Sequence, residues 1–163
     1  MSSIKIYFII VILTISNLNS FASTFKNKIF KKSIHSVTII DEESQTTFPL
    51  INLNEGKQLT LRFDEIANEV KDYSYTLIHC NDKWERSDIL PNEYLEGFEE
   101  EQITTYDYSV NTAVNYIHYS ISFPNNNIIP TKSGNFILLV FDKSLPTIIF
   151  ASALFIISIQ VLQ

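Results

Sequence analysis

Residues 73–80 read YSYTLIHC and residues 117–123 read IHYSISF. Both stretches carry a large apolar or aromatic side chain at every second position, the pattern of a β-strand with one face in a core. Residues 59–63 (LTLRF) repeat this pattern. Residues 136–141 (FILLVF) are apolar throughout, which predicts a strand that is buried on both faces.

Turn signals separate these stretches. Gly56, residues 124–127 (PNNN) and residues 133–135 (SGN) carry residue types that favour turns. Residues 64–71 are polar, and residues 81–104 predict a long loop with one helical turn. The pattern as a whole predicts an all-β fold, an immunoglobulin-like β-sandwich of about seven to eight strands.

The last segment, residues 147–163, reads TIIFASALFIISIQVLQ. As strands it would complete the sandwich, and as a helix it would be a short, borderline membrane span. The strand interpretation is favoured because β-branched and aromatic residues dominate and polar residues interrupt the apolar run.

The N-terminus has the order of a secretory signal peptide. Lys5 precedes the apolar run 6–15, and the small residues Ser20 and Ala22 follow it. We therefore expect residues 1–22 to be cleaved as a signal peptide, with an uncleaved anchor as the alternative. Residues 23–35 then form a basic arm, and residues 36–163 form the sandwich domain.

Composition narrows the class of protein. Hydrophobic residues make up 45% of the 163 residues and aromatic residues 13%, which excludes a disordered chain. The formal net charge of −6 argues against a nucleic-acid partner. A single cysteine, Cys80, excludes an internal disulfide.

Charged residues are concentrated in two stretches. The basic one contains Lys26, Lys28, Lys31 and Lys32, and the acidic one contains Glu93, Glu96, Glu99, Glu100 and Glu101. Both are interpreted as solvated surface, and the alternative is a pair of charged segments that help to select a protein partner.

The sequence predicts no catalytic, cofactor-binding or metal-binding residue. Serines and three histidines are present, but no local signature of a nucleophile beside its base accompanies them. His79, Cys80, Asp82 and His118 are possible metal ligands by type. His79 and Cys80 are neighbours on a predicted strand, so their side chains point to opposite faces.

A carbohydrate-binding module of the cell envelope is the alternative class. Trp84, Tyr106 and Tyr108 could form a stacking platform for sugars, and the glutamates of residues 93–99 could supply the two carboxylates of a glycosidase. We interpret Trp84 as a core residue and the glutamates as solvated surface.

Several ordered blocks between residues 37 and 142 resemble the N-terminal domain of the type IX secretion system plug protein family of Bacteroidota, formerly a domain of unknown function. The family elements are a Tyr-x-Tyr strand leading to His-Cys-x-x-x-Trp, a Ser-x-Asn-Thr segment, a Tyr-x-His-Tyr strand ending in Pro-Asn, and Ser-Gly-Asn followed by an aromatic residue. The residues that match are Tyr73, Tyr75, His79, Cys80, Trp84, Ser109, Asn111, Thr112, Tyr116, His118, Tyr119, Pro124, Asn125, Ser133, Gly134, Asn135 and Phe136.

The resemblance implies a periplasmic, non-enzymatic protein that binds a large outer-membrane β-barrel translocon and closes its periplasmic opening. It implies no cofactor, no small-molecule substrate, and contact with the membrane only through the partner. The motif residues are expected to be structural, fixing turns and strand packing.

Overall fold

The computed structural model describes residues 27–53, 55–145 and 147–157. The predicted signal peptide and the start of the basic arm lie outside the described residues. The elements in chain order are β1 (Lys28–Ile29), β2 (Ile34–Ile40), β3 (Leu50–Asn52), β4 (Leu59–Glu65), β5 (Tyr73–Cys80), α1 (Pro91–Tyr94), β6 (Leu95–Gly97), β7 (Glu101–Gln102), β8 (Thr105–Tyr108), β9 (Ile117–Phe123), β10 (Ile128–Pro130), β11 (Gly134–Asp142) and β12 (Thr147–Ile157).

Two sheets form a sandwich around one main core. Sheet A has the order β1-β12-β11-β5-β7, with β3 also paired to β12, and sheet B has the order β2-β4-β9-β8. The strand pairs are antiparallel except for β3 beside β12, and β6 and β10 form a separate small ribbon. The prediction of an all-β sandwich is confirmed.

The described residues contain twelve strands, more than the seven or eight predicted. The excess consists of strands of two or three residues, namely β1, β3, β6, β7 and β10. Strands this short leave no readable alternation in the sequence. Two of them, with α1, lie in the segment 81–104 that was predicted as a loop with one helical turn.

The alternating residues fill the core as predicted. Leu61 and Phe63 of β4 and Tyr75 and Leu77 of β5 are fully buried, and so is Tyr119 of β9. Between them the polar side chains of β4 and β9 point to the opposite face of sheet B. Each strand therefore contributes one apolar face to the space between the sheets.

Aromatic side chains join the two sheets at the centre of the core. Phe63 and Tyr119 of sheet B are stacked with ring centroids 5.0 Å apart. From sheet A, Phe150 meets Phe63 edge-on at 5.1 Å, and Tyr73 meets Tyr119 edge-on at 5.2 Å. Offset and edge-to-face pairs add favourable energy beyond the area that they bury.

A buried carboxylate anchors the described part of the basic arm. Glu65 is 2% exposed, and the Lys31 ammonium lies 2.7 Å from its Oε1. The Tyr73 hydroxyl donates to Glu65 Oε2 at 2.7 Å, and the Ser33 hydroxyl donates to Oε1 at 3.2 Å. A buried charge requires such partners, so Lys31 belongs to the folded domain rather than to a solvated arm. The boundary predicted at residue 35 falls inside β2.

The apolar end of the chain forms a strand as far as it is described. Residues 147–157 form β12, which pairs with β11 along its length, and residues 158–163 lie outside the described residues. Within the described ranges, no helix has the length and apolar character needed to span a membrane.

Phe63→Ala is expected to lower the free energy of unfolding by about 3–5 kcal/mol, because it removes a fully buried ring that contacts both sheets. The matched control is Phe98→Ala, since Phe98 is 64% exposed and should cost less than about 1 kcal/mol. Urea titration followed by circular dichroism measures both. Equal losses for the two variants would contradict the central position of Phe63.

Candidate functional site

The structure places the motif residues at several points around the two sheets instead of in one cavity. Three groups form, at the end of β5 and β11, beside β7 and β9, and in the connection between β8 and β9. Of the others, Cys80, Trp84 and Asn135 lie together on the outer face of sheet A, and His118 lies on the outer face of sheet B. The first two groups join residues that are far apart in the sequence, and the third is local.

The first group surrounds His79 at the end of β5. Its ring lies 5.0 Å from the Phe136 ring, edge to face, and its Nε2 lies 3.4 Å from the Ser133 carbonyl. A Cβ atom on Gly134 would stand only 2.6 Å from Nε2, and Gly134 has a φ of +152°. The glycine therefore gives the imidazole the space that it occupies.

The same histidine forms a serine–histidine contact that no sequence motif indicated. His79 Nδ1 lies 2.8 Å from Ser87 Oγ, within the distance of a nucleophile and its base. The other ring nitrogen faces a backbone carbonyl rather than a carboxylate. The Ser87 N–H also donates to the His79 carbonyl at 3.0 Å, so the contact closes a loop onto β5. This geometry is that of a structural hydrogen bond.

The second group gathers around the Glu101 carboxylate. Tyr75 Oη donates to Oε2 at 2.7 Å, and the Asn125 amide donates to the same oxygen at 2.7 Å. Asn127 donates to Oε1 at 2.8 Å. Burial and the Glu101 hydrogen bond raise the pKa of Tyr75, so it remains the neutral donor. Glu101 is thus a partner inside the fold, which corrects its assignment to a solvated acidic stretch.

Two other members of the acidic stretch also have defined partners. Glu93 Oε1 accepts the Leu90 N–H at 2.8 Å and so holds the first turn of α1. Glu100 forms an ion pair with Lys143 at 2.5 Å. Glu93 and Glu100 therefore help to set the geometry of the loop.

The third group shapes the connection between β8 and β9. The Ser109 hydroxyl accepts the Tyr116 N–H at 3.0 Å, and the Ser109 N–H donates to the Tyr116 carbonyl at 2.9 Å. Asn111 has a φ of +58°, a conformation that asparagine tolerates well. The Thr112 hydroxyl donates to the Val114 carbonyl at 2.8 Å. Asn111 and Thr112 are exposed, at the tip of the connection.

The remaining motif residues of β9 divide between the two faces of sheet B. The Tyr119 hydroxyl accepts the Lys71 N–H at 2.9 Å at the edge of the core, and burial raises the pKa of Tyr119 to about 12. His118 lies on the outer face, with Nδ1 2.6 Å from Asp64 Oδ1. After the strand, the Pro124 carbonyl accepts a hydrogen bond from the Gln58 amide at 2.7 Å.

Cys80, Trp84 and Asn135 meet on the outer face of sheet A. Cys80 is buried, pairs with Asn135 across the sheet, and belongs to a small apolar cluster against which Trp84 packs. Trp84 is half-buried and meets Phe155 edge-on at 5.3 Å. Trp84 therefore packs on the outer face of sheet A, against a small apolar cluster separate from the main core between the sheets.

The possible metal ligands do not converge. His79 lies on the core side of β5, Cys80 lies on the opposite side, and His118 belongs to sheet B. Within the part of the chain that the structure describes, no three histidine, cysteine or acidic side chains are placed together as a metal site requires.

The aromatic residues of the predicted sugar platform are divided between the sheets. Trp84 contacts sheet A, whereas Tyr106 of β8 packs near Tyr119 of sheet B at 6.3 Å. The rings of Tyr106 and Tyr108 are perpendicular, with an interplanar angle of 90°. A flat row of parallel rings, which stacking against a sugar would need, is not formed by these three residues.

These features show that the chain is a β-sandwich domain in which the polar motif residues form hydrogen bonds that hold the loops and strands together. A family described as the type 9 secretion system plug protein 1st domain matches residues 34–158. The chain belongs to this family, which confirms the resemblance read from the motifs. The family is secretion-related and non-catalytic, and its description connects the chain with type IX secretion.

A solved structure agrees with this assignment. The crystal structure, at 2.30 Å resolution, of a hypothetical protein from Parabacteroides merdae ATCC 43184 superposes with a TM-score of 0.79 and 26% sequence identity. The superposition covers 83% of this chain and 34% of that chain, so this chain spans about a third of its length. No curated protein sequence matches significantly.

Gly134→Ala is expected to destabilise the fold by about 2 kcal/mol or more, because the added methyl group meets the His79 ring. Gly56→Ala is the control, since Gly56 also has a positive φ but open space around it, and should cost about 1 kcal/mol. In the Gly134→Ala background, His79→Ala should cost less than it does alone. Additive losses in the denaturant titration would show that the glycine and the histidine are independent.

Cys80 is expected to react slowly with iodoacetamide in the native chain. Burial raises the pKa of the Cys80 thiol to about 11, so at pH 8 native labelling should be slower than labelling in urea by about 100-fold or more. Trp84→Ala should accelerate native labelling by uncovering the cluster, and Cys80→Ser gives the blank. An unchanged rate in Trp84→Ala would mean that other groups shield the thiol.

Proposed function

We propose that this chain is a non-enzymatic periplasmic accessory of the type IX secretion system. In this proposal it binds the large outer-membrane translocon barrel and closes the periplasmic opening of that barrel. The observation that carries the proposal is the family match, which spans residues 34–158 and so includes sheet B, sheet A apart from β1, and all of the motif residues.

The fold suits a part that must block an opening without chemistry. A sandwich joined by interlocked aromatic rings is a stiff body, because interiors packed in this way have low compressibility. The carboxylates of Glu65 and Glu101 accept hydrogen bonds from tyrosines of β5, so these charged groups are fixed within the fold. Such a domain can exclude water and protein from an opening by its bulk.

The destination in the periplasm rests on the N-terminal sequence. Residues 1–22 have the order of a signal peptide, and export would deliver the mature chain, residues 23–163, to the side of the outer membrane where the barrel opens. The net negative charge of the chain is compatible with protein recognition and unfavourable for nucleic acid.

A pull-down from envelope extracts tests the proposal. Tagged residues 23–163 are expected to recover a very large outer-membrane barrel protein, identified by mass spectrometry. Phe63→Ala, if unfolded, and an unrelated acidic β-sandwich serve as controls that should not recover it. Failure to recover a barrel with a folded sample, shown by circular dichroism, would count against the proposed binding and leave the family assignment intact.

A further inference from the structure

The two outer faces of the sandwich differ in chemistry. Sheet B presents polar side chains to the outside along β4, β8 and β9. These are Thr60, Arg62, Asp64, Thr105, Asp107, His118, Ser120 and Ser122. This is the alternation expected of an antiparallel sheet with one solvated face.

Sheet A is apolar on its outer face. The side chains that β5, β11 and β12 direct away from the core are Ser74, Thr76, Ile78, Cys80, Asn135, Ile137, Leu139, Phe141, Ile148, Ala151, Ala153, Phe155 and Ile157. Among these described positions none is charged. Strands that are apolar on both faces normally lie in sheets that are covered on both faces.

This face is only partly covered within the described chain. The segment carrying Trp84 lies over one end, where Cys80 and Ile137 are buried. Ile78, Leu139 and Phe141 remain partly exposed in the middle of the sheet. At the margin, Phe48 stacks on Phe155 and is itself 60% exposed. A contiguous apolar surface of this kind marks an interface.

We propose that the outer face of sheet A docks the domain that follows this first domain in longer proteins of the family. The family description places this domain first, and the similar Parabacteroides merdae chain is about three times as long as the part matched here. In a longer protein the chain leaves the domain through the strand equivalent to β12, which lies in sheet A itself. The following domain thus begins beside the face that needs a cover.

The apolar character of the outer face of sheet A indicates what kind of surface can pack on it. On this face β5, β11 and β12 present no charge and few hydrogen-bonding groups, and the charged Lys28 lies on the edge strand β1. An apolar centre of this kind fits an apolar layer of helices or strands, and it disfavours an acidic or basic peptide. The inference rests on the family assignment and not on binding to the barrel. The docking proposal and the proposed binding to the barrel can therefore be disproved independently of each other.

The full-length Parabacteroides merdae protein supplies the first test. Glutamate at the position equivalent to Leu139 should loosen the contact, because it would bury an unpaired charge there. Cleavage between the matched part and the rest by trypsin should then accelerate by on the order of ten-fold. Glutamate at the position equivalent to Ser120, on the solvated face, is the matched control. Equal rates, or a position equivalent to Leu139 that faces solvent in the crystal structure, would overturn the proposal.

The full chain of this protein supplies the second test. We expect a monomer in sedimentation experiments that binds a hydrophobic dye, with dye binding reduced by Leu139→Glu and retained by Ser120→Glu. A dimer that Leu139→Glu dissociates and Ser120→Glu preserves would assign the face to a second copy and overturn the proposal. If Leu139→Glu fails to fold, Ile78→Thr keeps the strand propensity and makes the same comparison.

Discussion

The contact between Phe63 and Tyr119, with Tyr73 and Phe150 against them, is the interaction on which the sandwich depends. These rings come from both sheets and are fully buried, so they fix the spacing of the sheets and their relative position. The chain has one cysteine and no internal disulfide to take over that task. Interlocked rings resist sliding because each has a preferred geometry with its neighbours.

Two carboxylates, the buried Glu65 and the half-buried Glu101, attach the connections to the same core. Glu65 holds Lys31, which precedes β2, and Glu101 holds the turn that contains Asn125 and Asn127. Each carboxylate also accepts a tyrosine hydroxyl from β5, so both connections are attached to this strand of sheet A. An unpartnered carboxylate at the buried Glu65 would be costly, so this position requires its partners.

The part of the fold that follows from periodicity could be predicted from the sequence. Alternation placed Leu61, Phe63 and Tyr75 in the core, since a strand has only two faces. The short strands and the role of Glu101 could not be predicted, because both depend on pairing between distant segments. Glu101 lies among other glutamates, and only the folded chain brings Asn125 to it. The face of the sheet on which Trp84 packs could not be predicted either, because a single indole ring can be buried on either side of a sheet.

The asymmetry of the two sheets links the fold to its role. A freely standing sandwich would gain from polar side chains on both outer faces, and sheet B has them in Arg62, Asp64 and Ser120. Sheet A retains Ile78 and Leu139 at the corresponding positions, where they add nothing to the core between the sheets. Since exposed apolar side chains carry a risk of aggregation, their presence on one face is explained by a contact that the isolated domain does not contain. The domain is therefore built as one layer of a larger assembly.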